Sequence, residues 1–161
     1  MQVIVEHGNQ SLQALSGSDK VIVSDLMDKY LQELCAHWVL SGEPWACVTP
    51  DLMAVSLEYM YSIPQFYLLR DKLSDKPVGF ILYNEEITPS NHLTVDVCEF
   101  YILDTYRGKG YGKQLLSLVV EYARSRGAVG VSLNSAESNP ANNLYNTIGF
   151  RPVSTRKVLA L

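Results

Sequence analysis

The chain has 161 residues, 47% hydrophobic and 19% charged, the balance of one soluble globular domain (1–161) long enough to bury a real core. A net charge of −4 and a pI near 5.3 argue against a nucleic-acid binder, which carries a clustered basic face, and suit a cationic or amine partner. No apolar run reaches about 18 residues, and Met1 to His7 lacks the basic end and apolar stretch of a signal peptide, so no membrane span or leader is expected.

Met1 to Val5 reads as a strand, and Gly8 to Lys20 as a polar loop. Ser24-Asp25 offers a helix start for Leu26 to Trp38, where Leu26, Tyr30, Leu31, Leu34 and Trp38 share one face. Pro44 breaks that pattern. A second helix fits Asp51 to Tyr61, with Thr49-Pro50 at its entrance and Pro64 after its end. Phe66 to Arg70 and Val78 to Tyr83 suit two strands of a hairpin, turned at Ser74-Asp75-Lys76-Pro77. Glu85 to His92 reads as a polar loop. Thr94 to Leu103 is a central strand.

A helix over Tyr111 to Arg126 buries Leu115, Leu116, Val119, Val120 and Ala123 and ends at Gly127. A strand at Val129 to Leu133, a short helix at Pro140 to Ile148 and a last strand at Arg151 to Leu159 complete the order β-α-α-β-β-β-α-β-α-β. The three cysteines, Cys35, Cys47 and Cys98, are odd in number and lack metal-like spacing. They read as reduced thiols in a cytoplasmic protein, and no metal site is expected among them and the scattered His7, His37 and His92.

The most informative stretch is Arg107-Gly108-Lys109-Gly110-Tyr111-Gly112, set between a strand and a helix. Its glycines allow close backbone approach, and the helix that follows presents unpaired N–H groups at its positive end. Such a corner suits a phosphate or diphosphate. A P-loop does not fit, because the Gly-Lys pair is preceded by the wrong spacing and followed by Gln114. A G-x-G-x-x-G fingerprint does not fit either, since position 113 is Lys.

The pattern [Gln/Arg]-x-x-G-x-[Gly/Ala] does fit, at Arg107, Gly110 and Gly112. It is preceded by Glu99-Phe100-Tyr101-Ile102-Leu103 and followed by Asn139-Pro140-Ala141, Leu144-Tyr145 and Gly149-Phe150. In order and spacing these resemble the GNAT superfamily of N-acetyltransferases over about residues 94 to 152. The resemblance implies a mixed α/β (α+β type) fold. Its mostly antiparallel sheet has splayed central strands and is flanked by about four helices. It also implies acetyl-CoA as cofactor, with its diphosphate on Arg107, Gly108, Lys109, Gly110, Tyr111, Gly112 and Lys113. The pantetheine arm would lie along the backbone of Phe100, Tyr101 and Ile102, with Asn139 contacting it. Tyr145 would be the general acid toward the CoA sulfur; the other reading is a core aromatic.

An alkyl amine is protonated at neutral pH and must lose a proton before it attacks. Glu99 is the leading base, because a carboxylate in an apolar strand needs a partner or a wet cleft. A strand-edge salt bridge is the competing role, and Asp96 and Glu58 are further candidates for the base. Strand alternation points Cys98 away from Glu99, and no cysteine in the motifs is an obvious acetyl carrier. Trp38, Glu43, Trp45, Tyr59 and Tyr61 lie in the region where the fold receives its acceptor, and aromatics with a carboxylate suit a cationic amine. The expected activity is acetyl transfer to the primary amine of a small molecule by direct attack in a ternary complex. The partners expected are that amine, with no nucleic acid and no membrane, and a homodimer stays open. The alternatives are a non-catalytic acyl-CoA sensor or interaction module and a toxin-like aminoacyl-tRNA acetyltransferase.

Overall fold

A computed structural model describes residues 3–8 and 11–161. Met1 and Gln2 of the expected first strand, and Asn9 and Gln10 of the loop after it, lie outside those residues. The elements are β1 (Val3–Gly8), α1 (Gly17–Leu40), α2 (Pro50–Ser62), β2 (Gln65–Asp71), β3 (Pro77–Ile87), β4 (Leu93–Ile102), α3 (Tyr111–Ser125), β5 (Gly130–Leu133) and α4 (Asn142–Ile148), with single 3-10 turns at Leu12–Ala14 and Asp104–Tyr106. The five strands lie in the order β1-β2-β3-β4-β5, antiparallel except for the parallel pair β4–β5. This is the expected mixed, mostly antiparallel α/β fold with four helices.

Apolar side chains cover both faces of the sheet. Phe66, Leu68, Phe80, Leu82 and Tyr101 pack under α1 and α2 with Val23, Met27, Leu31 and Met60. Leu69, Ile81, Tyr83, Val95, Val97 and Ile102 pack under α3 and α4 with Leu115, Leu116, Val119 and Tyr145. Strands buried on both faces explain the near-continuous apolar runs of β2 and β3.

Two expectations are corrected. First, α1 starts at Gly17 rather than after Ser24-Asp25. Ser16 is the cap, its Oγ accepting the Asp19 N–H, and Ser24 sits inside the helix against Tyr61. Second, Arg151 to Leu159 forms no strand, and residues 150–161 carry no regular element. Val153 is 97% and Leu159 83% exposed, so the alternation there finds no sheet edge to bury it. The Arg156–Glu43 ion pair (2.8 Å) holds this segment to the α1–α2 connection. Smaller shifts concern β3, which runs on to Ile87, and α4, which begins at Asn142.

An ion cluster around a buried arginine joins three elements. Arg70 of β2 binds Glu6 of β1 (2.5 Å) and Asp19 of α1 (2.7 Å) with its side chain 10% exposed. Removing the cation leaves two acids without their partner. Arg70→Met is therefore expected to lower stability by about 2–4 kcal/mol, read as a fall in urea midpoint at unchanged slope.

Candidate active site

The site is built around β4. Its register with β3 slips between Leu82 and Tyr83, which face Glu99 and Val97 and leave Cys98 as an extra residue. Such a bulge re-aims side chains. Here it breaks the alternation that would set Cys98 opposite Glu99. Cys98 packs with the α1–α2 cluster, and Glu99 reaches α1 as well.

The Glu99 carboxylate accepts a short hydrogen bond from the Tyr30 hydroxyl of α1 at its Oε2. No cation pairs with Glu99 among the described residues, so the salt-bridge role is not what the geometry shows. Burial pushes its pKa up to about 7, the Tyr30 hydrogen bond pulls against that rise, and Asp96 adds to it. Tyr30 is pushed well above the usual tyrosine range by burial first, then by Glu99, with Tyr145 and Cys98 contributing. One phenol thus lies in the field of both the expected base and the expected acid.

Tyr145 sits on α4, 9% exposed, edge-on to Phe150 at 6.1 Å between ring centres. Burial raises its pKa to about 12. Its hydroxyl donates to no other described residue. The Cys98 thiol is also pushed up to about 12, by burial first and then by Asp96. Asp96 itself accepts from Ser132 of β5 (2.9 Å), and Glu58 is exposed on α2. Tyr59 of α2 lies beside Cys98 and within the field of Glu99 and Asp96.

The strand pair β4–β5 is short. It runs from Thr94 opposite Gly130 to Val97 opposite Leu133, while β4 continues to Ile102. From Cys98 on, no strand among the described residues pairs with that edge of β4. Phe100, Tyr101 and Ile102 lie along it. Their side chains belong to the core, and Ile102 already gives its carbonyl to Arg107 Nε (2.7 Å).

The corner after β4 is anchored by Tyr106, whose hydroxyl donates to Asp71 (2.8 Å). Gly108 and Gly110 have φ of +72° and +84°, conformations that favour glycine, and added Cβ atoms would meet open space. Gly112 differs. A Cβ there would meet Leu144 at 3.1 Å and Phe100 at 3.4 Å, so this glycine lets α3 pack onto α4 and β4. The first ladder bond of α3 runs from the Gln114 N–H to the Gly110 carbonyl, which places the Gly112 and Lys113 N–H groups ahead of the ladder. Lys113 is exposed, and the Lys109 ammonium donates to the Thr105 carbonyl (3.0 Å).

Arg107 is tied to α1 across an exposed face. It donates to Glu33 of α1 (2.7 Å) and stands 5.1 Å from the centre of the Tyr101 ring. The Tyr101 hydroxyl also donates to Glu33 (3.2 Å). Sequence reading found neither Tyr30 nor Glu33 as a site residue. Asn139 accepts the Ala141 N–H (2.9 Å) and shapes the turn into α4. In the region expected to receive the acceptor, Tyr61 donates to the Lys20 carbonyl and Glu43 pairs with Arg156, so both have structural partners. Trp45 stays half exposed.

The sequence profile of the Acetyltransferase (GNAT) family matches residues 29–150. The chain is 43% identical over 56 residues to the [ribosomal protein bS18]-alanine N-acetyltransferase of Haemophilus influenzae, covering 35% of this chain and 38% of that protein. It is 31% identical over 105 residues to the uncharacterized N-acetyltransferase YycN of Bacillus subtilis, covering 65% of each. The chain thus spans less than two thirds of the length of these relatives. Among solved structures, one chain of the NatC complex bound to Gag peptide and CoA superposes with a TM-score of 0.67 at 18% identity, over 96% of this chain and 87% of that one. The ribosomal-protein-alanine N-acetyltransferase of Brucella melitensis biovar Abortus 2308 gives 0.64 at 18%, over 99% and 100%. At that identity they bear on the fold, which is the same. The matched profile spans most of the chain, from Tyr30 through Tyr145 to Phe150, and on that ground the protein belongs to the GNAT acetyltransferase family.

Proposed function

We infer that the chain is an acetyl-CoA-dependent N-acetyltransferase that acylates a primary amine by direct attack in a ternary complex. The observation that carries this is the Glu99 carboxylate, partly buried with no cation beside it among the described residues, next to the strand edge that β5 leaves open. A family site for acetyl-CoA fits the residues present. Gly108 and Gly110 leave open space at the start of α3, and backbone of β4 from Cys98 on has no strand paired with that edge among the described residues. Gly108, Gly110, Gly112, Lys109, Lys113 and the open edge at Phe100 and Tyr101 would hold the cofactor. Arg107 contributes there by fixing the end of β4. Bound acetyl-CoA supplies an acetyl thioester, an electrophilic carbonyl carbon with a sulfur leaving group.

Glu99, with its pKa near 7, takes a proton from the ammonium, directly or through a water, and frees the lone pair that forms the C–N bond. Tyr145, held protonated, offers its hydroxyl hydrogen toward sulfur as the C–S bond breaks. Of the ammonium protons, one stays on the amide, one replaces through solvent the proton given to sulfur, and one is released. Cys98 is the nearest thiol to Glu99 in sequence, and its raised pKa keeps it from serving as a thiolate acetyl carrier near neutral pH. This favours direct attack.

The acceptor read from Tyr59, Trp45 and the acidic α1–α2 region is a small cationic amine, in a cytoplasmic setting that suits three unpaired thiols. The 43% identical stretch shared with a ribosomal-protein alanine acetyltransferase favours a second reading, the α-amine of a protein N-terminus. Thiol release from acetyl-CoA across a panel of polyamines, amino acids and alanine-starting peptides tests both. No turnover with any amine, despite tight acetyl-CoA binding, would leave a CoA-binding module.

Cofactor binding has its own check. In Gly110→Val a β-branched residue is forced to φ near +84° at the corner that would hold the phosphates. Affinity for CoA, measured by calorimetry, is expected to fall below detection while the core stays folded. Unchanged affinity in a folded variant would move the phosphates elsewhere.

A further inference from the structure

The Tyr30 hydroxyl is the one hydrogen-bond partner of the Glu99 carboxylate among the described residues, and it comes from a different element. Tyr30 lies on α1, and Glu99 on β4, 69 positions later. The ring is fixed on both sides, edge-on to Phe80 at 5.8 Å and tilted against Tyr101 at 5.8 Å. One turn further along α1, Glu33 binds Tyr101 and Arg107, so the helix is pinned to β4 at two points. The bulge at Cys98 turns Glu99 toward this ring. The ring is packed on both sides and the phenol, its pKa raised, stays protonated, which makes it a standing donor.

We propose that Tyr30 is a positioning residue of the acetyl-transfer site, holding Oε2 of Glu99 so that Oε1 remains for the proton of the acceptor amine. This rests on the reading of Glu99 as the base. The groups facing Glu99 have distinct effects. Tyr30 from α1 donates to it and favours its charged form. Asp96 on β4 opposes that form, and Cys98 beside it is a neutral thiol. Tyr59 from α2 borders Cys98, Tyr145 from α4 lies in the field of Tyr30, and β3 offers the apolar Leu82. Tyr30 is thus the donor that opposes the effect of burial. Without it the carboxyl must hold its proton to higher pH, and its orientation is set only by the strand.

The test is kcat/KM against pH for wild type, Tyr30→Phe and Glu99→Gln, with 3-fluorotyrosine at position 30 as a fourth protein. Phenylalanine keeps the ring contacts and removes the donor. The acid limb in Tyr30→Phe is expected to move up by about one pH unit, roughly a five-fold loss of rate near pH 7. The more acidic fluorophenol is a stronger donor and is expected to move the limb down. If Glu99→Gln loses the limb while both Tyr30 variants keep it at the wild-type position, Tyr30 is only a packing residue and the inference fails alone. If Glu99→Gln keeps the limb, the base reading fails and this inference with it. Should Tyr30→Phe not fold, the fluorotyrosine protein decides by itself, since an unmoved limb there overturns the inference.

Discussion

Tyr145→Phe is expected to lower kcat by ~10²–10⁴-fold, the range in which a positioned proton donor acts, with little change in the dissociation constant for acetyl-CoA. The ring of Tyr145 is core: it packs on Phe150 and within the α3–α4 cluster, and phenylalanine preserves those contacts. What the substitution removes is a hydroxyl that no other described residue accepts from. That hydroxyl is not among the buried side-chain atoms left without a partner, so its tip reaches solvent while its ring is core. Rapid-quench turnover together with calorimetric binding separates the two readings. A phenylalanine variant with wild-type kcat on the true acceptor would return Tyr145 to the core.

Glu99→Gln carries the second large effect. Wild-type kcat/KM should rise as pH passes about 7, because the base works in its ionised form and burial holds the pKa there. The glutamine variant should lose that limb and about 10²-fold or more of its rate at pH 8. The stability signature has the opposite sign. A carboxyl whose folded pKa lies above its unfolded value makes the native state less stable as pH rises from about 4.5 to about 7, by up to about 3 kcal/mol. Glutamine keeps an acceptor for Tyr30 and carries no charge. Its stability should therefore vary less across that window and exceed wild type at pH 8. A glutamine variant that is less stable than wild type at pH 8 and unchanged in its pH–rate profile would remove Glu99 from the chemistry and direct attention to Asp96 or Glu58.

The corner at residues 107–112 was legible because its glycines are local. Gly108 and Gly110 need left-handed φ, and that requirement is written in residue type. The β4 carboxylate was legible for a related reason, since an acid in an apolar run has to be explained. Its partner was not. Tyr30 shares the helical spacing of Leu26, Leu31 and Leu34, and nothing local separates a core tyrosine from one whose hydroxyl meets a strand far along the chain. The bulge was hidden as well. Period-two alternation assumes an unbroken ladder, and Cys98 is where the ladder slips. The start of α1 was misplaced although Ser16-Gly17-Ser18-Asp19 carries the Ser-x-x-acid cap pattern that Ser24-Asp25-Leu26-Met27 lacks, because the polar, glycine-containing stretch around it resembles a loop and the buried Val23 shows its place in the helix only in the fold. Residues 151–159 have the composition of a strand, but pairing needs a neighbour, which no local pattern reveals.

The early end of β5 has a consequence for how this protein tolerates mutation. From Cys98 to Ile102 one edge of β4 offers main-chain groups rather than side chains. Recognition by peptide amides is nearly blind to which amino acid carries them. Drift among Phe100, Tyr101 and Ile102 would then be restrained by packing against two cores and much less by a cofactor arm laid along that edge. On the reading proposed above, the acceptor would meet side chains from α1, α2 and their connection, and each replacement there would change the chemistry presented. One half of the proposed cleft would stay constant in what it binds while its residues vary, and the other would change partners by few substitutions.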